Sequence, residues 1–288
     1  MKGILLAGGT GSRLYPMTKT VSKQLLPVYD KPMVYYPLST LLSLGISEVF
    51  IITTPRDQEA FTSLLGDGSQ LGCSFSYAVQ PNPNGLAEAF LIGANFIGND
   101  SVALILGDNL FYGSAIVKQT PSKTDFSGGL IFGMHVQNPK RYGIVELDAD
   151  GELKSIEEKP NHPKSNLAIP GLYFFDHTVV DKATQVKPSA RGELEITDIH
   201  NAYWKAGHLR VTVLEQGTAW LDTGTVQSLS KAHSFVEAIQ SRQGVLVGSP
   251  ELAAYQQGFI NLSQLKTLSK TYKEAEYGNY LKQWINEQ

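Results

Sequence analysis

The stretch that constrains this chain most is its start, GILLAGGTGSRL over residues 3–14. Its apolar run is short and stops at glycine, which predicts a buried first strand running into a loop. Gly8, Gly9 and Gly11 carry no Cβ, so a ligand can approach the backbone closely and a positive φ costs little. Successive free N–H groups in such a loop form an anion-binding concavity. Arg13 adds a cation at the loop's exit. Glycine loop plus arginine points to a nucleoside triphosphate.

The glycines alone do not identify a ligand, because three at this spacing arise by chance in about one chain in ten of this length. A tight surface turn would look the same. Two familiar loops are excluded on inspection. Leu14 stands where a dinucleotide fingerprint needs its third glycine, and no Gly-Lys-Ser/Thr follows as in a P-loop. An NAD-dependent oxidoreductase is therefore disfavoured.

Beyond the loop, helical and strand patterns alternate. Residues 33–45 and 56–65 read as helices, 48–54 and 74–80 as strands, and a helix opens at Leu86 with Ala89, Phe90, Ala94 and Ile97 on its buried face. The continuous apolar run Val102-Ala103-Leu104-Ile105-Leu106 suits a central parallel strand buried on both faces. The expected fold class is α/β: a doubly wound, mainly parallel, Rossmann-like sheet. Ligands bind such sheets beyond the carboxyl ends of the strands. The glycine loop and Asp108 both lie at such ends, although Asp108 could instead cap a helix starting near Gly113.

From Gly128 to Phe175 the pattern turns to short strands, with Asp148-Ala149-Asp150-Gly151 as a hairpin turn. Glu157-Glu158-Lys159-Pro160 follows the third run. It is either a solvated strand edge or a site where Glu158 accepts from sugar hydroxyls and Lys159 holds a phosphate. The acids of Gly192–Asp198 suit the dipole of a helix that they open. Asp222 reads as a loop residue just before a helix from Val226 capped by Thr225, so capping does not account for it. Residues 244–288 carry helical patterns with Pro250 and Ser263 as start signals. The chain thus divides into a core of residues 1–242, with a nucleotide part to about 127 and an inserted β-rich sugar part over about 128–242, and a C-terminal helical extension, 243–288, for packing, assembly or regulation.

A net charge of −3 gives no electrostatic case for nucleic acid or membrane partners. No stretch of eighteen apolar residues occurs, and the first residues do not have the form of a signal peptide. A single cysteine, Cys73, excludes an internal disulfide, which fits a cytoplasmic setting. If Asp108 and Asp222 meet, two carboxylates with phosphate oxygens and water make a site suited to Mg²⁺. Arg13, Lys23 and Lys159 would hold the remaining phosphate charge. If the attacker is an already ionised phosphate oxygen, no general base is required, and none of the six histidines falls in an assignable motif.

Eight motifs in order, LAGGTGSRLYP (6–16), SKQLLPVYDKPM (22–33), QPNPNGLAEAF (80–90), LGDN (106–109), RYGIVE (141–146), EEKP (157–160), GELEITD (192–198) and WLDTGT (220–225), resemble the sugar-1-phosphate nucleotidylyltransferases, in particular the branch that joins dTTP and glucose 1-phosphate. The resemblance implies Mg²⁺-dependent formation of dTDP-glucose and pyrophosphate by direct attack of the sugar phosphate on the α-phosphorus. It implies that Gly8, Gly9, Gly11 and Gln24 line the nucleotide, with Arg13 on its phosphates and Lys23 at the transferring phosphorus. Gln80 and Gly85 would read the thymine. Asp108 and Asp222 would hold the metal. Asn109, Gly143, Glu158 and Ile169 would contact the glucose, and Lys159 its phosphate. It further implies a homotetramer built as a dimer of dimers, inhibited by dTDP-rhamnose at a second site. Alternatives are the same chemistry with UTP or another sugar 1-phosphate, or a non-catalytic nucleotide-sugar sensor. The sensor predicts loss of a metal carboxylate or of Lys23, and all three residues are present.

Overall fold

The computed structural model describes residues 1–120 and 126–287. Its strands are β1 (Lys2–Ala7), β2 (Pro27–Val28), β3 (Lys31–Pro32), β4 (Glu48–Thr53), β5 (Ser74–Val79), β6 (Val102–Leu106), β7 (Asn109–Tyr112), β8 (Gly129–His135), β9 (Gly143–Leu147), β10 (Leu153–Glu158), β11 (Leu167–Ala168), β12 (Leu172–Phe175), β13 (Leu209–Val213) and β14 (Ala219–Asp222). The fold is mixed α/β, as the alternation of patterns predicts. The chain forms two compact units interleaved along the sequence: Met1–Ile4, Asn82–Ile105 and Ser114–Thr218 make the first; Leu5–Pro81, Leu106–Gly113 and Ala219–Gln288 make the second.

In the first unit the strand order is β10-β9-β11-β8-β12-β6-β1, with β13 added parallel to β8. Val102, Ala103, Leu104 and Ile105 of β6 are fully buried. Of its two neighbours, β12 runs antiparallel to it and β1 parallel, with the Lys2 amide on the Ser101 carbonyl and the Gly107 amide on the Leu6 carbonyl, both at 2.9 Å, so the apolar run reports a central strand buried on both faces. The β9–β10 hairpin turns where DADG predicts. Asp148 closes it by accepting from the Asp150 and Glu152 amides, both at 2.9 Å. The single helix expected from Leu86 is two short ones, Glu88–Ile92 and Ala94–Ile97, interrupted at Gly93. Helix Ile196–Lys205 packs on β8, β10 and β13. It lays its buried His200 against Phe175, with rings 5.9 Å apart, and against Tyr173 at 5.1 Å.

In the second unit the order is β1-β4-β5, with β4 and β5 parallel. Two ribbons, β2–β3 and β7–β14, accompany it. Helix Tyr35–Ser43 packs on β7 and on helix Pro250–Gln256. Thr225 caps helix Val226–Gln243 in a capping box with Ser228, as its position predicts. Beyond Gly244 the described residues carry the helices Pro250–Gln256, Leu262–Thr271 and Glu276–Asn286. Pro250 occupies the first turn of its helix behind the Ser249 cap, whereas the next helix starts at Leu262 and is capped by Asn261 rather than opened at Ser263. Hydrogen bonds tie this tail to the core: the Val247 amide donates to Gln240 Oε1 at 3.0 Å and the Tyr29 hydroxyl to Glu276 Oε1 at 2.6 Å, while within the tail Glu251 accepts from the Tyr272 and Tyr277 hydroxyls. Among the described residues no helix is long and apolar enough to cross a membrane.

Candidate active site

The second unit holds the glycine loop, both aspartates and two of the three cations. β1 ends at Ala7 and the chain turns outward. Gly9 and Gly11 take φ of 93° and 61°, values open to glycine and strained for other residues. Gly11 precedes a turn of 3₁₀ helix, Ser12–Leu14, and its carbonyl accepts from the Thr18 hydroxyl at 2.7 Å. Gly8 packs closely on Gln80: a Cβ there would stand 3.0 Å from Gln80 Oε1 and displace that side chain. Gln24 donates to the Gly8 carbonyl at 3.2 Å and accepts from Ser22 at 2.6 Å. Gly8, Gln24 and Gln80, separate in sequence, are therefore one cluster at the end of β1.

The loop expected around Asp222 is instead the end of a strand. β14 pairs antiparallel with β7, and Asp222 stands opposite Asn109. Asp108 is thus one position out of register from Asp222, and this pairing brings the two carboxylates to one end of one ribbon. It also excludes Asp108 as a helix cap, because strand β7 follows it and helix Ala115–Gln119 is preceded by Ser114. Thr223 is fully buried and fixes the junction. Its hydroxyl donates to the Asp108 carbonyl at 2.9 Å and its amide to the same oxygen at 3.2 Å.

The Asp108 carboxylate is held on both oxygens. Asn109 donates to Oδ1 at 2.7 Å, Lys23 Nζ donates to Oδ2, and the Trp220 indole in turn donates to Asn109 Oδ1 at 2.6 Å. Burial pushes the Asp108 carboxyl up. The Lys23 charge and hydrogen bond, with the Asn109 amide, outweigh it and leave the group below the usual carboxylate range. Asp222 Oδ1 accepts the Gly224 amide at 2.6 Å. A Cβ at Gly224 would lie 2.7 Å from that oxygen and 3.1 Å from Arg13 Nη2, so the guanidinium borders the second aspartate. The donor set is two carboxylates with no nitrogen or sulfur ligand. No group of three or more His, Cys, Asp or Glu residues suited to a metal occurs among the described residues. Such a set fits a hard divalent cation that takes its other ligands from phosphate and water.

The first unit holds a second cluster. A Cβ at Gly143 would meet Glu158 Oε2 at 3.2 Å, Ile169 Cδ1 at 3.4 Å and Thr197 Oγ1 at 3.6 Å. The Thr197 hydroxyl donates to Glu158 Oε2 at 2.5 Å, and Lys159 Nζ lies 3.5 Å from Glu158 Oε1. Lys159 has φ of 42°, and its amide is held by the Tyr142 carbonyl at 3.1 Å. Gly85 belongs to this unit too: a Cβ there would stand 2.4 Å from the Leu194 backbone.

Curated relatives and solved structures agree on the family. The family model "Nucleotidyl transferase" matches residues 2–239. The chain belongs to the nucleotidyl transferase family. It is 56% identical over 99% of both chains to a Mycolicibacterium smegmatis protein named glucose-1-phosphate thymidylyltransferase. A crystal structure of a Bacillus anthracis protein provisionally named a glucose-1-phosphate thymidylyltransferase, in complex with sucrose, superposes with a TM-score of 0.76 and 41% identity, covering 82% of this chain and 94% of that one. A UDP-glucose pyrophosphorylase complexed with UDP-glucose matches with a TM-score of 0.70 and 26% identity, covering 82% and 98%.

Several side chains at these clusters were not singled out from the sequence of this nucleotidyl transferase. Arg191 donates to Glu195 Oε2 at 2.7 Å and lies 3.7 Å from Glu158 and 3.3 Å from Glu193. Glu193 and Glu195 therefore balance a guanidinium. Of the acids assigned to the helix dipole, only Asp198 lies in the first turn. Thr197, Trp220 and Thr223 sit inside the quoted motifs, so the motifs were the available signal; their hydrogen bonds depend on pairings remote in sequence.

Proposed function

We propose that this nucleotidyl transferase transfers a thymidylyl group from dTTP to glucose 1-phosphate, releasing pyrophosphate and forming dTDP-glucose. The observation that carries the reading is the β7–β14 register, which sets Asp108 beside Asp222 with Lys23 and Arg13 against them. The names of relatives more than half identical over nearly the whole chain supply the substrates.

In this reading Gly8, Gly9 and Gly11 line the nucleotide, Gln24 lies beside it, and Gln80 and Gly85 read the thymine. Arg13 and Lys23 bind its phosphates. Asp108 and Asp222 would hold Mg²⁺, which when bound neutralises phosphate charge. Asn109, Gly143, Glu158 and Ile169 bind the sugar. Glu158, fixed by Thr197, accepts from sugar hydroxyls; Lys159 and Arg191 bind the sugar phosphate. A phosphate oxygen of the sugar bonds to the α-phosphorus, the bond to the β-bridging oxygen breaks, and its electron pair leaves with pyrophosphate. The protein's task is positioning and charge stabilisation, with no proton to remove from the attacker. The enzyme is further proposed to be cytoplasmic and homotetrameric, with dTDP-rhamnose as an inhibitor.

The test is pyrophosphate release from dTTP, glucose 1-phosphate and Mg²⁺, with kcat/KM compared against UTP. Release confined to UTP would transfer the assignment to the uridylyl reaction. Nucleotide binding without turnover would make the protein a sensor.

A further inference from the structure

Lys23 occupies the position that a divalent cation at Asp108 would claim. Its ammonium donates to Asp108 Oδ2, and the lysine and aspartate side chains are only 11% and 21% exposed. The other Asp108 oxygen already accepts from Asn109 at 2.7 Å. The Lys23 backbone cannot move away freely. The next residue, Gln24, is buried, donates to the Gly8 carbonyl and accepts at its own carbonyl from the Val34 amide at 2.9 Å. Only the side chain can swing. An ammonium at contact distance of a carboxylate repels a dication from the same oxygen. Once displaced, a largely buried ammonium needs another anion, because an unpaired charge out of water is costly.

We infer that Lys23 is the resident counter-ion of Asp108 in the free protein, so that the divalent cation enters together with nucleotide phosphate, which takes over the lysine. The inference rests on the nucleotidyl-transfer reading above and adds to it an order: the protein without nucleotide binds the cation poorly because its own lysine holds the site. Lys23 thereby acts twice, first as a plug and then as a phosphate ligand.

Mn²⁺ alone is the probe, titrated without nucleotide and followed by the loss of free-ion signal in electron paramagnetic resonance. Lys23→Met is expected to bind Mn²⁺ about tenfold more tightly than wild type, the scale of one unit charge at contact after solvent screening. Lys23→Gln should behave likewise, which covers a folding failure of the first variant, and Lys23→Arg should stay at the wild-type level. Adding Asp108→Asn to Lys23→Met should abolish the gain. Equal Mn²⁺ affinity in wild type and both neutral variants, or no binding by any of them, overturns the inference. Wild-type turnover of dTTP and glucose 1-phosphate, measured in the same preparation, separates the two claims. Turnover without the Mn²⁺ gain defeats the counter-ion role alone. Absence of turnover and of any Mn²⁺–dTTP binding defeats both.

Discussion

Acidification is expected to loosen the first unit through His200, well above the pH at which carboxylates titrate. His200 is 1% exposed on helix Ile196–Lys205, both ring nitrogens lack a hydrogen-bond partner among the described residues, and its ring lies against Tyr173 and Phe175. Burial drives its pKa down to about 3. The folded protein therefore keeps the ring neutral while the unfolded chain protonates it near its ordinary value of about 6.5. Because the unfolded state binds the extra proton, stability is complete above that value and falls as pH drops through it towards the folded pKa. The loss is about 1.4 kcal/mol at pH 5.5 and about 2.7 kcal/mol at pH 4.5, from RT ln(1 + 10^(6.5−pH)). The Asp108 and Asp176 carboxyls, also held low in the folded protein, add the same sign only nearer the carboxylate range, while Asp198 on the same helix, raised by burial, works in the opposite direction, so the comparison with a variant lacking the imidazole isolates the histidine. Urea unfolding at the two pH values reads it, with the midpoint falling by about 0.5 M for an m-value near 3 kcal/mol/M. His200→Phe, which keeps a ring between Tyr173 and Phe175, should remove most of that slope. The same helix carries Thr197, which donates to Glu158, so the cluster around Glu158 should lose order with it. An equal pH slope in wild type and His200→Phe would refute the argument.

What was legible in the sequence was whatever is local. The strand before the glycines, the DADG turn, the Thr225 cap and the Pro250 start each depend on residues a few positions apart, and the structure has them all. The mainly parallel sheet was legible, but not the direction of every neighbour: β6, as apolar as a central parallel strand, pairs antiparallel with β12 on one side, because burial on both faces leaves the same signature. The β7–β14 ribbon was also invisible. Its strands are short, more than a hundred residues apart, and overlap the quoted motifs LGDN and WLDTGT, where Asp222 reads as a loop residue. That ribbon is what makes Asp108 and Asp222 neighbours. Arg191 escaped for a related reason: its partners Glu193 and Glu195 already had an adequate local explanation in the helix dipole, and only the fold shows Glu158 beside them.

Asp222→Asn should lower kcat by about 10²–10³ with folding retained, the usual size for a lost charge-stabilising group, and near-normal turnover would remove Asp222 from the cation site. Lys159→Ala should raise KM for glucose 1-phosphate with little change in KM for dTTP; an unchanged sugar-phosphate KM would defeat its role as a phosphate ligand. Gly8 and Gly9, adjacent in the chain, should respond to alanine in opposite ways. At Gly9 a Cβ meets nothing within 4 Å, but φ is 93°, so Gly9→Ala should cost about 1–2 kcal/mol of stability from backbone strain alone. At Gly8 the backbone does not lie in the left-handed region, and the added carbon would stand 3.0 Å from Gln80 Oε1. Gly8→Ala should therefore fold nearly as wild type and raise KM for dTTP about tenfold, because the side chain displaced is the one assigned to the base. Calorimetry of both variants with dTTP titration checks this: if Gly8→Ala loses stability and keeps its nucleotide affinity, Gln80 is a packing residue and the assignment of the base to that end of β1 is wrong.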